Sequence, residues 1–211
     1  MNNKYKEFLK IIESEDKDKA LLFILNLFEK GENIKDVYEN YLIPVMADWK
    51  CDLVNQEICI WREHTRTSII RTIVEASYKY LIAQKDKSIN KLILSFCPQE
   101  EYHEIGAIIA TNFFTLVGFN AKYIGANTPS DDIISAIKVM NPDYIALSVT
   151  NYYNLVVVKK LTKRIREMYP DLKIIVGGQV FKNRDSLSQI EYDYCLSSYQ
   201  DILKFRDEVI S

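Results

Sequence analysis

Several things are scarce in this chain of 211 residues. It has four cysteines, Cys51, Cys59, Cys97 and Cys195, and no two of them form a Cys-x-x-Cys pair. That argues against a zinc site or a redox dithiol and leaves all four to be read as free thiols in a reducing, cytoplasmic setting. No run approaches the roughly 18 apolar residues that a membrane span needs. The opening Met1-Asn2-Asn3-Lys4-Tyr5-Lys6 lacks the apolar stretch of a secretory signal. A formal net charge of −2 gives no reason to expect nucleic acid or an anionic membrane as a partner. Between Glu32 and Asn90 there is no glycine, and Pro44 is the only proline, so the link between the two halves of the chain is tight. Histidine is rarer still, with only His64 and His103.

Apolar residues are plentiful: a hydrophobic content of 48% can build the core of one large or two small domains. Their spacing changes partway along. Up to about Gln84 it is helical. Residues 5–12 form a first helix; Leu21, Leu22, Ile24, Leu25, Leu27 and Phe28 mark a second, which Gly31 ends. A third runs from about Ile34 to Met46 with a kink expected at Pro44. The fourth carries Ile58, Ile60, Trp61, Ile69, Ile70, Ile73 and Val74 and continues to Leu81-Ile82-Ala83. Four helices on short loops describe a small bundle, assigned to residues 1–86 with the link at 85–88. Residues 87–211 alternate short apolar runs with helical patterns. Strands are expected at 92–96, 121–124, 144–148, 173–176 and, weakly, 192–196, and helices at 105–117, 129–140, 154–168 and the C-terminus. Five βα units predict a flavodoxin-like, doubly wound, five-stranded parallel sheet.

In such sheets ligands bind beyond the carboxyl ends of the strands. Three sequence signals fall there: Glu101-Tyr102-His103-Glu104-Ile105-Gly106, Ser148-Val149-Thr150, and Gly177-Gly178. A histidine just after a strand can ligate a metal through one ring nitrogen if an acceptor holds the other, and Glu101 is a candidate acceptor. The alternative is that His103 caps the next helix or faces solvent. Gly106 costs about 1 kcal/mol in a helix; it either leaves room for a bulky group or serves helix–sheet packing. Gly177-Gly178 fits a close approach by a ligand tail or a tight strand-to-loop turn. The hydroxyls of Ser148 and Thr150 reach a ligand or satisfy local backbone. One imidazole at the mouth of a sheet, with polar and glycine positions on neighbouring strand ends, suggests a large metal-centred ligand.

The combination Glu-x-His-x-x-Gly, then Ser-x-Thr, then Gly-Gly resembles the two-part cobalamin-binding module, a four-helix cap followed by a flavodoxin-like domain. The resemblance covers nearly the whole chain from about residue 15. It implies that His103 displaces the cofactor's own dimethylbenzimidazole and becomes the lower axial ligand of cobalt. By the same resemblance Glu101 orients His103, Ser148 meets the displaced base, and Gly106, Gly177 and Gly178 line the channel for the nucleotide tail. Two departures from the module's pattern are Glu101 in place of aspartate and Thr150 in place of leucine. Within the module, Glu57-Ile58-Cys59-Ile60-Trp61-Arg62-Glu63-His64 is similar to the cap segment of light-sensing regulators of the CarH/LitR type. Those regulators also share His103-Glu104-Ile105-Gly106 and Gly177-Gly178-Gln179. The likeness implies that Ile60, Glu63 and His64 face the upper cobalt ligand, and their spacing of i, i+3 and i+4 puts them on one helix face. Glu104, Ile105, Thr150 and Gln179 join the expected contact set. The tryptophan and histidine that cover the upper ligand in the light sensors fall on Leu53 and Val54, with Trp49 and Trp61 nearby.

The resemblance therefore implies a non-enzymatic, cobalamin-binding sensor or regulator, including a photoreceptor, with adenosylcobalamin or methylcobalamin as cofactor. It would signal through a regulatory protein partner or as a homo-oligomer, with no direct contact to nucleic acid or membrane. Residues 1–14 are too short for a DNA-binding domain. The alternative is a corrinoid protein that shuttles a methyl group between methyltransferases, which a modest apolar residue such as Leu53 suits. A third reading is an interaction module that keeps the fold without the cofactor.

Overall fold

A computed structural model describes residues 3–48 and 56–211, and for 56–58 the backbone alone. Trp49, Leu53 and Val54 lie outside the described residues. The chain divides into two compact units, Met1–Gln84 and Lys85–Ser211.

The first unit is helix and loop among its described residues. In α1 (Asn3–Glu13), Tyr5, Phe8 and Ile12 recur every three to four residues and are the ones buried. The next helix, α2 (Lys17–Glu29), starts where Asp16 accepts the Lys19 N–H and buries Ala20, Ile24, Leu27 and Phe28. It stops before Gly31, whose φ of 88° suits glycine. Asn33 caps α3 (Ile34–Val37) by accepting the Asp36 N–H. The kink expected at Pro44 takes the form of a π turn, Tyr38–Leu42, which leads into α4 (Ile43–Ala47). Pro44 has no N–H for the carbonyl of Asn40 and its ring crowds that carbonyl, so the preceding turn widens and the Ile43 N–H reaches back to Tyr38.

The fourth expected helix is in fact two, α5 (Gln56–Ala76) and α6 (Tyr78–Gln84). The break falls at Ser77, which is fully buried and bonds its hydroxyl back to the Ile73 carbonyl at 2.7 Å. Such back-bonding bends helices without glycine or proline. The thiols also differ from expectation: Cys97 and Cys195 are free, but Cys59 is disulfide-bonded. Lack of a Cys-x-x-Cys pair bears on zinc and redox dithiols only; a disulfide needs two close Cα atoms, whatever their spacing in sequence.

The second unit runs β1 (Ile89–Pro98), α7 (Ile105–Leu116), β2 (Phe119–Thr128), α8 (Ser130–Met140), β3 (Tyr144–Ser148), α9 (Leu155–Met168), β4 (Lys173–Gly177), α10 (Arg184–Leu187), β5 (Tyr194–Cys195) and α11 (Tyr199–Ile210). All strands are parallel, in the order β2-β1-β3-β4-β5, the flavodoxin-like order. The weak fifth strand keeps only the pairs Ile175–Tyr194 and Val176–Cys195. Among the described residues no helix is long and apolar enough to cross a membrane.

The two faces of the sheet are filled differently. Leu94, Phe96, Ile145, Leu147, Ile174 and Val176 pack with residues of α8 and α9 in one closed apolar core. On the other face Phe119, Tyr144 and Tyr194 stack around Phe205 of α11 near the amino ends of the strands. Towards the carboxyl ends that face carries small residues, Ser95 paired with Ala146 and Ser148 paired with Gly177. The central strand β3 buries Ile145 and Leu147, yet Tyr144, Ala146 and Ser148 are only half-buried. A central strand of a doubly wound sheet is normally covered on both faces, so this face is left partly open towards the rim.

Gly178 has φ 108°, and a Cβ there would lie 2.2 Å from the Val149 carbonyl oxygen. Gly178→Ala should therefore destabilise the protein by at least about 2 kcal/mol, read from the midpoint of denaturant unfolding; an unchanged midpoint would contradict this packing.

Candidate functional site at the carboxyl rim of the sheet

The order β2-β1-β3 places a topological switch point between β1 and β3, where the connections leave in opposite directions. The loop that follows β1 carries Glu101 and His103. It is pinned at its base: Glu101 N–H donates to the Pro98 carbonyl at 2.9 Å, Asn127 N–H donates to the Glu101 carbonyl at 2.9 Å, and Glu100 N–H donates to Asn127 Oδ1 at 2.8 Å. Asn127 sits at φ 49°, a left-handed conformation that asparagine tolerates.

Glu101 is fully buried, and a buried carboxylate persists only if its oxygens are satisfied. They are. Oε1 accepts the His103 N–H at 3.0 Å and faces His103 Nδ1 at 2.6 Å, while Oε2 accepts Thr150 N–H at 2.8 Å, Asn151 N–H at 2.9 Å and the Asn154 side-chain amide at 3.1 Å. Burial by itself would raise its pKa; the donors from Asn151, His103 and Thr150 outweigh it and hold the carboxyl below the ordinary glutamate range. An ionised carboxylate only accepts, so Nδ1 carries the proton and donates. Nε2 of the neutral ring then presents a lone pair. The ring is 54% exposed, which leaves that nitrogen accessible to a ligand from solvent. The glutamate in place of aspartate is explained by reach: one carboxylate spans from the imidazole to the loop after β3.

Other expected site residues are distributed around this pair. Thr150 contributes its backbone N–H, so a threonine there does not disturb the contact that holds Glu101. Ser148 ends β3 beside Gly177 of β4. Of the two readings of Gly177-Gly178, close backbone packing accounts for both: a Cβ on Gly177 would lie 2.8 Å from the Leu196 carbonyl oxygen, and Gly178 abuts Val149. Gly106 is the opposite case. A Cβ there would meet nothing within 4 Å, so helix–sheet packing does not require glycine. Ile105 opens α7, Gln179 is exposed after β4, and Glu104 accepts a hydrogen bond from Tyr123 at 2.9 Å. In the helical unit Ile60, Glu63 and His64 are all exposed on α5. Leu53 lies outside the described residues.

Asn127, Asn151, Asn154 and Tyr123 were not on the expected list. Asn154 had a signal, the Asn-Tyr-Tyr-Asn stretch 151–154 directly before a helix, and it is a buried side chain with a functional partner.

These features fit a corrinoid. Among the described residues no group of three or more His, Cys, Asp or Glu could hold a metal ion. A Cβ on Gly106 would meet open space, and Ala146 and Ser148 are only half-buried, so packing within this unit does not fill these positions. Gly106→Ala separates the roles of this position: it should leave stability unchanged or raise it by up to about 1 kcal/mol while weakening corrinoid binding. Equal binding by the variant and the parent, measured by spectral titration, would contradict the assignment.

Comparison with known proteins bears on the family and the fold. Residues 92–202 match the family model of the B12 binding domain. Among solved structures, the monomethylamine corrinoid protein of Methanosarcina barkeri is similar at 16% identity and TM-score 0.84, covering 98% of this chain and 98% of that one. A cobalamin-binding protein from Desulfitobacterium hafniense DCB-2 is similar at 15% identity and TM-score 0.53, covering 97% and 98%. The methanol:cobalamin methyltransferase complex MtaBC of Methanosarcina barkeri is similar at 16% identity and TM-score 0.53, covering 96% and 78%. At these identities the likeness is one of fold. No curated protein matches the chain by sequence.

Proposed function

The chain belongs to the B12-binding domain family, with cobalamin as its cofactor, and from that premise we propose that it carries a methyl group between methyltransferases, as a carrier rather than an enzyme. The observation that carries the reading is the Glu101–His103 pair, a buried carboxylate that fixes an exposed imidazole with its Nε2 lone pair free. Bound cobalamin would supply a cobalt able to accept and release a methyl group. The residues of this chain do the rest. His103 Nε2 would hold the cobalt, Glu101 would keep the proton on Nδ1, Ser148 would contact the nucleotide end of the cofactor and Gly106 would leave room for the ring.

Two features favour a methyl carrier over the sensor expected from the helical segment. The likeness to a monomethylamine corrinoid protein extends over both units of the chain, and a methyltransferase complex is among the similar structures, which makes a methyltransferase the proposed partner. The sensor reading rests on residues 57–64 together with His103–Gly106 and Gly177–Gln179, and the two positions that would cover a light-sensitive upper ligand, Leu53 and Val54, lie outside the described residues.

The test is a labelled methyl donor supplied with its methyltransferase to the reduced, cobalamin-loaded protein. A carrier acquires protein-bound label and passes it to a second methyltransferase. Absence of label, together with a light-induced change in the assembly of the adenosylcobalamin-loaded protein, would instead establish the sensor.

A further inference from the structure

The loop that presents His103 is held from two sides, and only one of them involves Glu101. On the β3 side, Glu101 takes hold of His103 through its N–H and Nδ1. On the β2 side there is a second cluster. Tyr123, in register with Ser95 across β1 and β2, donates its hydroxyl to Glu104 Oε2 at 2.9 Å. The same hydroxyl lies 3.7 Å from Cys97 Sγ, and that thiol donates to the main-chain carbonyl of His103 at 3.8 Å.

We infer that Tyr123, acting through Glu104 and beside Cys97, is a positioning residue that sets the height and tilt of the His103 imidazole at the corrinoid. This rests on the axial role proposed for His103. The mechanics follow from the placement of the two clamps. Glu101 holds the ring at Nδ1 and the base of the loop is pinned to Pro98 and Asn127, which leaves the stretch from His103 into α7 to be held by other contacts. The contacts at Glu104 and at the His103 carbonyl tie that stretch to Tyr123 of β2 and Cys97 of β1.

The experiment uses the full-length protein and cobinamide in the cobalt(II) state, a corrinoid that lacks a lower base, so that axial nitrogen comes from the protein alone. Tyr123→Phe keeps the ring and removes the donor. It should weaken cobinamide binding about fivefold, the factor equivalent to one hydrogen bond, and reduce the axial-nitrogen coupling in the electron paramagnetic resonance spectrum. Glu104→Ala should match it, Glu104→Gln should restore most of the affinity by keeping an acceptor oxygen, and the Tyr123→Phe/Glu104→Ala double variant should lose no more than either single variant. A purely structural tyrosine would lower thermal stability without moving the coupling. Unchanged affinity and coupling in Tyr123→Phe, or additive losses in the double variant, overturn the inference while leaving the axial role intact. Absence of nitrogen coupling in the parent protein overturns the axial role, and this inference with it.

Discussion

His103→Ala should abolish protein-derived axial ligation of cobalt while leaving the fold almost untouched. The imidazole is 54% exposed, and Glu101 keeps its donors from Thr150, Asn151 and Asn154 when the ring is removed, so the cost in stability is below about 1 kcal/mol. Binding tells a different story. Loss of a metal ligand is at least as costly as loss of its supporting partner, which lowers metal affinity by roughly 10- to 100-fold. Spectral titration with cobalamin should therefore show weaker binding, and the bound cofactor should lose the visible signature of its histidine-ligated, base-off form. An unchanged spectrum and affinity would remove His103 from the site.

Glu101→Ala should have a larger effect on the protein itself. Its carboxylate is fully buried and receives donors from His103, Thr150, Asn151 and Asn154. Truncation leaves several of these without partners in a space that water enters poorly. The expected cost is roughly 3–5 kcal/mol, a large share of the stability of a typical domain. Glu101→Gln keeps the shape and is the variant to use for binding, where a 10- to 100-fold loss of corrinoid affinity is expected of a partner that orients the ligand. The direction of the pKa shift adds a pH signature. Because folding lowers the Glu101 pKa, its contribution is fully present above the unfolded value of about 4.3 and disappears as pH falls through the folded value. The stability gap between parent and Glu101→Gln should therefore be widest near neutral pH and narrow in acid. A gap independent of pH would mean that the carboxylate is not ionised in the folded protein.

Much of the architecture can be read from spacing alone. The shift from helical periodicity to short apolar runs near Leu92 marks the sheet, and the five βα units are found in the expected order with parallel pairing. Where the reading failed, the cause is tertiary. Ser77 splits a helix with no glycine or proline to announce it, because a buried hydroxyl turns back on its own backbone. The strand expected at 192–196 keeps only two paired residues, Tyr194 and Cys195, whose partners lie on β4.

The site divides in the same way. Glu101 and His103 are two residues apart, so their contact is local and visible in sequence. Asn154 reaches the same loop from beyond β3 with only the Asn-Tyr-Tyr-Asn stretch to mark it, while Asn127 and Tyr123 reach it from β2 with nothing in their own neighbourhoods to reveal it. Glycine proved the least transparent residue. Gly178 is explained by the backbone of Val149, whereas Gly106 has empty ground above it, and only coordinates tell the two apart.

The central claim is that His103, rather than the cofactor's own base, ligates cobalt. Protein produced with histidine whose ring nitrogens carry the spin-one-half isotope, loaded with ordinary cobalamin in the cobalt(II) state, tests it directly by electron paramagnetic resonance. A histidine ligand splits each cobalt line into a doublet, whereas the unlabelled protein shows a triplet. A triplet in both samples would mean that dimethylbenzimidazole remains bound and that the rim of the sheet holds cobalamin without using its imidazole.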